Sequence, residues 1–429
     1  MARHFLSKGF QKVYALKGGW RDWEEAEYPV EQKEKEGSTI VDSCVKCHLK
    51  ATPAVVAEWE ASKHSRNEVS CLLCHGVEHM SATDVAKAVP VTQDMCNTCH
   101  EIQSKQFRAG KHAAAWEAAR AIPRAHWQSM ALVEGRRACA ACHKLGIKTQ
   151  DDIKTLKKEG FGLGVASCDV CHSRHTFSLK EARHPRTCQA CHSGSDHDQW
   201  AMFEGSKHGI RLALKQSGAL PDEATAPACR ICHMPEGSHE VRTSWGFWAL
   251  RLPLAEESDP AWTEARTTIF RALGMLDPEG NPGGMLEAAR AADLFRETRE
   301  DWQKERDRMV KACSQCHEEK AARQELERGD RLVRQSDLLM SEAIHIVADL
   351  YRQGSTGKPG IPAEMFPDLL AFHDSQRPIE QRLVSMFQQS RSKAFQGRFH
   401  GNMEEAFQDG LGQMIEDLTQ IRAMRTQRP

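Results

Sequence analysis

The chain has 429 residues, with 58 Lys and Arg against 59 Asp and Glu, a formal net charge of −1 and 40% hydrophobic residues. That balance gives no sign of nucleic-acid binding or of capture of an acidic partner. No apolar run reaches the ~18–20 residues that a membrane-spanning helix needs. The informative residue is cysteine. All 16 Cys fall in eight C-x-x-C pairs, and each pair is followed directly by one of the 21 His.

C-x-x-C-H is the attachment signature of c-type haem: the two thiols add to the porphyrin vinyl groups, and the His becomes the proximal iron ligand. The thiol pairs are Cys44 and Cys47, Cys71 and Cys74, Cys96 and Cys99, and Cys139 and Cys142, then Cys168 and Cys171, Cys188 and Cys191, Cys229 and Cys232, and Cys313 and Cys316. Their proximal ligands are His48, His75, His100, His143, His172, His192, His233 and His317. A zinc ribbon or a disulfide framework leaves the eight histidines unexplained. Eight covalently bound haem c groups are therefore expected, and no thiol is left over for catalysis. Haem is attached outside the bacterial cytoplasm, so a periplasmic location is expected. Met1-Ala-Arg-His-Phe5 lacks the apolar core of a secretion signal, so a longer precursor is expected.

In chain order, residues 1–36 stand apart. Gly9-Phe10-Gln-Lys-Val13-Tyr14-Ala15-Leu16 reads as a short strand, Gly18-Gly19 as a turn and Trp20-Arg-Asp-Trp23 as a helix start. The segment resembles the C-terminal end of a rhodanese domain. It holds no Cys, so sulfur transfer by this remnant is not expected. Residues 37–273 carry seven motifs among short amphipathic pieces and turns, with almost no period-two alternation. Residues 274–429 change texture. Leu332, Leu339, Ala343, Ile346 and Leu350 mark one apolar helix face, Gly354–Gly360 breaks the run, and about Pro378 to Arg425 reads as further helix. The last motif is placed inside the first of these helices. The expected fold is mainly α: a haem-packed multihaem cytochrome c domain followed by a long-helix C-terminal bundle.

Thirteen histidines lie outside the motifs. A haem iron with two His ligands only passes electrons, whereas a five-coordinate one can bind substrate. Seven distal ligands are sought among the thirteen. His64, His112 and His208 share a Ser/Gly-Lys-His context, which suggests one shared role. His79, His175 and His239 each lie shortly after a motif. His126 is the seventh choice, with His400 and His345 next; His4 takes no role, and His184 and His373 stay unassigned.

Several segments, in order, resemble the octahaem hydroxylamine oxidoreductase family from about Ser43 to the C-terminus. They are Cys191-His192-Ser-Gly-Ser-Asp196-His197-Asp-Gln-Trp200, Gly205-Ser-Lys-His208-Gly209, Cys232-His233-Met-Pro-Glu-Gly237, Trp245-Gly246-Phe247 and Ala394-Phe-Gln-Gly397-Arg-Phe-His400-Gly-Asn402. The resemblance implies a catalytic five-coordinate haem at the fourth motif, with His143 as its only protein ligand and Asp196 and His197 on its distal side. It also implies a homotrimer. Oxidative members carry a Tyr that bonds covalently to a neighbouring subunit's catalytic porphyrin. Here Glu405 occupies that position, and no Tyr follows Tyr351. Members without the Tyr look like reductases.

The expected activity is reduction of nitrite and/or hydroxylamine to ammonium, with electrons from an external donor, a small cytochrome or a quinol-linked protein. Three alternatives stand beside it: hydroxylamine or hydrazine oxidation, reduction of sulfur oxyanions such as sulfite or tetrathionate, and an electron conduit with every haem bis-His.

Overall fold

The computed structural model describes residues 11–13, 38–121, 142, 144–158, 163–194, 198–252, 258–291, 294–353, 366–370 and 377–426. It divides into two units, Met1–Thr52 and Pro53–Pro429. The described residues are mainly helical, and their only β-pairings are isolated bridges: Val91 with Gly164, Arg251 with Arg296, and Leu276 with Pro282. No helix among them is long and apolar enough to cross a membrane.

In the first unit, helix Ser38–Ala51 carries Cys44, Cys47 and His48. The Thr52 amide donates to the His48 carbonyl at 2.7 Å, and the Thr52 hydroxyl lies 2.7 Å from His48 Nδ1.

The first part of the second unit is a succession of short helices. Each described motif winds into about one helical turn, as in Cys71–His75 and Cys229–His233. The His amide closes onto the first Cys carbonyl at His100–Cys96 (2.9 Å), His172–Cys168 (3.0 Å), His192–Cys188 (3.0 Å) and His317–Cys313 (3.0 Å). Spacings of three and four residues lie on one helix face, so this turn aims both sulfurs and the imidazole the same way.

The Ser-Lys-His context has a local physical basis. Ser62 and Ser206 are N-caps, each 1% exposed. Ser62 Oγ accepts from the Ser65 amide and Ser206 Oγ from the Gly209 amide, both at 3.1 Å, which satisfies an otherwise orphaned helix N–H. Each hydroxyl also donates to the chain behind it, at Trp59 O and Phe203 O, both 2.6 Å. His64 and His208 thereby stand in the first turn of a capped helix. Gly110 begins the short helix Lys111–Ala114 that holds His112, without a side-chain cap. Ser206→Ala should cost about 1 kcal/mol, read as a lower denaturation midpoint. An unchanged midpoint would remove the cap from the account.

The second part is built on the 34-residue helix Glu319–Arg352, against which Pro260–Ala272, Arg391–His400 and Gln413–Thr426 pack. Of the face read in the sequence, Leu332, Ala343 and Ile346 are buried while Leu339 and Leu350 are half-buried, and the buried stripe runs instead through Met340, Ile344 and Val347, each fully buried. Ile269, Phe270, Phe387, Met414 and Ile421 complete this core. Gln413–Thr426 follows a π-helical stretch, Glu405–Gly412, and a second one, Met386–Ser390, precedes Arg391–His400.

Inside the core, Asp337 and Arg391 form an ion pair with both side chains 1% exposed. Asp337 accepts from Arg391 Nε at 3.0 Å, Arg391 Nη2 at 2.7 Å and Trp262 Nε1 at 2.8 Å. The last motif differs from expectation: Arg299–Cys313 ends at its first cysteine, so Cys316 and His317 lie in the turn before the long helix.

Candidate functional site

Six motif histidines in the Pro53–Pro429 unit each face a histidine from outside any motif. The ring centres are 6.2 Å apart for His75 and His175, 6.1 Å for His100 and His64, and 6.2 Å for His172 and His239. They are 6.1 Å apart for His192 and His112, 6.3 Å for His233 and His400, and 5.9 Å for His317 and His208. Two imidazole–metal bonds of about 2 Å, plus roughly 1 Å from each nitrogen to its ring centre, put rings on opposite sides of one metal about 6 Å apart. The donor set and spacing therefore fit an iron between each pair.

The electrostatics agree with ligation, which needs neutral imidazoles. Burial, assisted by the facing His192, pulls His112 down to about 4. Burial, with His400 beside it, pulls His233 down to about 3. His64, His172, His208, His239 and His400 are shifted the same way, with burial the first cause in each.

Several rings are also fixed through Nδ1, the nitrogen that keeps its proton when Nε2 takes a metal. His192 Nδ1 lies 3.0 Å from Gln199 Oε1, and His400 Nδ1 lies 2.8 Å from the Gln396 carbonyl. His79 Nδ1 lies 2.9 Å from Asp84 Oδ1.

The motifs cluster rather than scatter. The sulfurs of Cys96 and Cys168 lie close together, as do those of Cys188 and Cys229 and of Cys142 and Cys191. Cys232 lies near Cys313 and Cys316. Groups attached at these sulfurs are neighbours.

A family model described as "Seven times multi-haem cytochrome CxxCH" matches residues 43–273 and 289–359. The chain belongs to this multihaem cytochrome family. Its motifs thus carry covalently bound haem c.

A curated relative of this cytochrome, the "Probable nitrite reductase-hydroxylamine oxidoreductase fusion protein" of Kuenenia stuttgartiensis, is 26% identical over 386 residues, covering 76% of this chain and 40% of the relative. The cytochrome thus spans about two fifths of that relative's length. Among solved structures, a Kuenenia stuttgartiensis reducing HAO-like protein complex matches with a TM-score of 0.64 at 21% identity, over 93% of this chain and 88% of the other. A "Hypothetical multiheme protein" matches with a TM-score of 0.62 at 20% identity, over 91% and 96%. These two likenesses are of fold, and they agree with the mainly α, haem-packed architecture.

Of the histidines singled out in the sequence, the cytochrome brings His64, His112, His175, His208 and His239 each against a motif histidine. The sequence sets His126 before His400 as a ligand; His400 faces His233, and His126 lies outside the described residues. His345 instead contacts Thr268 Oγ1 at 3.3 Å and Phe366. His184 Nδ1 accepts from the Arg186 amide at 3.2 Å and caps a helix. Cys139, His143, Asp196, His197, His4 and His373 also lie outside the described residues.

Glu405, which the sequence reading sets where oxidative members carry a Tyr, is ion-paired with Lys393 at 3.2 Å. Tyr351 donates to Glu380 at 2.7 Å inside the protein.

Two groups of residues went unread in the sequence. Gln199 and Gln396 contact ligand-candidate histidines, and their only local signal is spacing, seven residues after His192 and four before His400. The Arg251 guanidinium lies 4.8, 5.1 and 5.8 Å from the ring centres of Trp302, Trp245 and Trp262. Burial lowers this arginine to about 10. The box is closed by residues far apart in sequence, which no local pattern announces.

Proposed function

We propose that this cytochrome works in the periplasm as an octahaem reductase, converting nitrite and/or hydroxylamine to ammonium at one five-coordinate haem fed by bis-His haems. The observation that carries the reading is the histidine pairing: every described motif histidine of the Pro53–Pro429 unit faces a histidine from outside a motif. Iron held between such pairs is saturated and suited to electron transfer only. His79, with its ring fixed by Asp84, is the seventh ligand in this reading. His143 then holds the open iron.

When bound there, the haem supplies a site where a nitrogen oxyanion is held and receives electrons. The chain supplies the rest. Six imidazole pairs close their irons to substrate. Asp196 and His197 hold substrate and deliver protons, since an imidazole beside a carboxylate exchanges protons near neutral pH. The closeness of Cys142 and Cys191 supports electron entry to the fourth motif from the sixth.

The reductive direction draws on Glu405, whose carboxylate is engaged within its own chain where oxidative members project a Tyr to a neighbour. One relative is named a nitrite reductase-hydroxylamine oxidoreductase fusion, which covers both directions, and the solved neighbour is named a reducing HAO-like complex, which supports the reductive one. The external donor is a small cytochrome or a quinol-linked protein, and the assembly is a homotrimer. With reduced viologen as donor, nitrite should be consumed and ammonium should accumulate. Rapid hydroxylamine oxidation with no ammonium from nitrite would overturn the reading.

A further inference from the structure

Two glutamines join the ligands of neighbouring haems. His192 Nδ1 faces Gln199 Oε1 at 3.0 Å, Gln199 Nε2 donates to Gln396 Oε1 at 2.7 Å, and the Gln396 carbonyl faces His400 Nδ1 at 2.8 Å. Gln396 is 8% exposed, so water competes little for these bonds. The two ends of the segment between His192 and Gln199 are held by the His192–Gln199 contact and by the Trp200 amide, which donates to the His192 carbonyl at 2.8 Å. That segment contains Asp196 and His197.

We propose that Gln199 and Gln396 form a hydrogen-bonded relay that positions the His192 imidazole and holds down the reduction potential of the haem attached at Cys188 and Cys191. This rests on the histidine pairing described above.

With Nε2 committed to iron, Nδ1 carries the ring proton and donates it to Gln199 Oε1. An acceptor there makes the imidazole a more basic ligand and favours the oxidised iron. Gln199 in turn donates through Nε2 to Gln396, and an amide that donates becomes a stronger acceptor at its own oxygen. Gln396 thus acts on His192 without touching it. Its contact to His400 runs through the backbone carbonyl, so changing the Gln396 side chain leaves that bond in place. The haem so tuned is the one whose attachment site adjoins Cys142 of the fourth motif. Its potential sets the driving force of the last transfer to the candidate catalytic haem.

The test is a potentiometric titration of the holoprotein, followed by visible absorbance and by EPR of the low-spin haems, with haem content measured in each variant. Gln199→Leu removes the acceptor. One haem should then favour its reduced form by about tenfold at fixed potential, an upward shift of about 59 mV for one electron. Gln396→Leu should move the same haem in the same direction by less. Gln396→Glu, which keeps an acceptor for Gln199 Nε2, should leave it at or below the wild-type potential. Gln396→Met serves as a volume-matched replacement if the leucine variant loses haem.

A haem-replete Gln396→Leu or Gln396→Met protein with every potential at its wild-type value would overturn the relay. So would a uniform shift of all haems, which marks a general packing change. The readout is potential rather than turnover, so failure of nitrite reduction leaves the relay standing. Absence of low-spin bis-His signals in the wild type would instead remove the ligand assignment beneath it.

Discussion

His400→Ala should add one high-spin haem to the spectrum while the total haem content stays the same. His400 faces His233 with the ring centres 6.3 Å apart, and its Nδ1 is fixed by the Gln396 carbonyl. Removing the imidazole empties one axial position of the haem held at Cys229 and Cys232. The two thioether bonds do not depend on His400, so the haem remains attached. Electron flow through this haem should be impaired, and the turnover proposed above should fall with it. His126→Ala should leave the same haem low-spin. A His400→Ala protein with the full wild-type low-spin signal would show that another group ligates this iron.

Asp337→Ala should destabilise the protein by about 3–5 kcal/mol, the cost of leaving one member of a buried ion pair without its partner. Arg391 and Asp337 are each 1% exposed, and Arg391 Nη1 also donates to the Trp248 carbonyl at 2.6 Å. The substitution strands a guanidinium in the core and leaves the Trp262 indole N–H without its acceptor. Arg391 is the first residue of the helix that ends at His400, so loosening should reach that ligand. Replacing both charges, Asp337→Leu with Arg391→Met, should recover most of the loss, because an apolar pair of similar volume avoids the buried charge. Chemical denaturation of the single and double variants measures this. Equal destabilisation in both would mean that shape rather than charge dominates.

The parts legible in the sequence are those fixed by neighbours along the chain. C-x-x-C-H spans one helical turn, so its chemistry is written within five residues. Ser-Lys-His is a capped helix start, which makes the shared context of His64 and His208 a local structural signal. The apolar face of Glu319–Arg352 is legible because helical periodicity is local. Pairings that depend on tertiary approach were not legible in the same way. Nothing near His400 announces that it meets His233, and nothing near Gln199 announces Gln396. Helix-forming residues continue on both sides of the last motif, so the sequence reads the motif as helical, whereas the chain turns after Cys313.

The histidine pairs also bear on how the chain is held together. With iron between the rings, each pair becomes a cross-link closing a loop: His64 to His100, His75 to His175, His112 to His192, His172 to His239, His208 to His317, and His233 to His400. Each loop overlaps the next, so every residue from His64 to His400 lies inside at least one. A cross-link spanning on the order of 100 residues removes about 4–5 kcal/mol of chain entropy from the unfolded state. Acid that breaks a single axial bond would thus free only the part of that loop which no neighbouring cross-link encloses, while the rest of the chain stays tied.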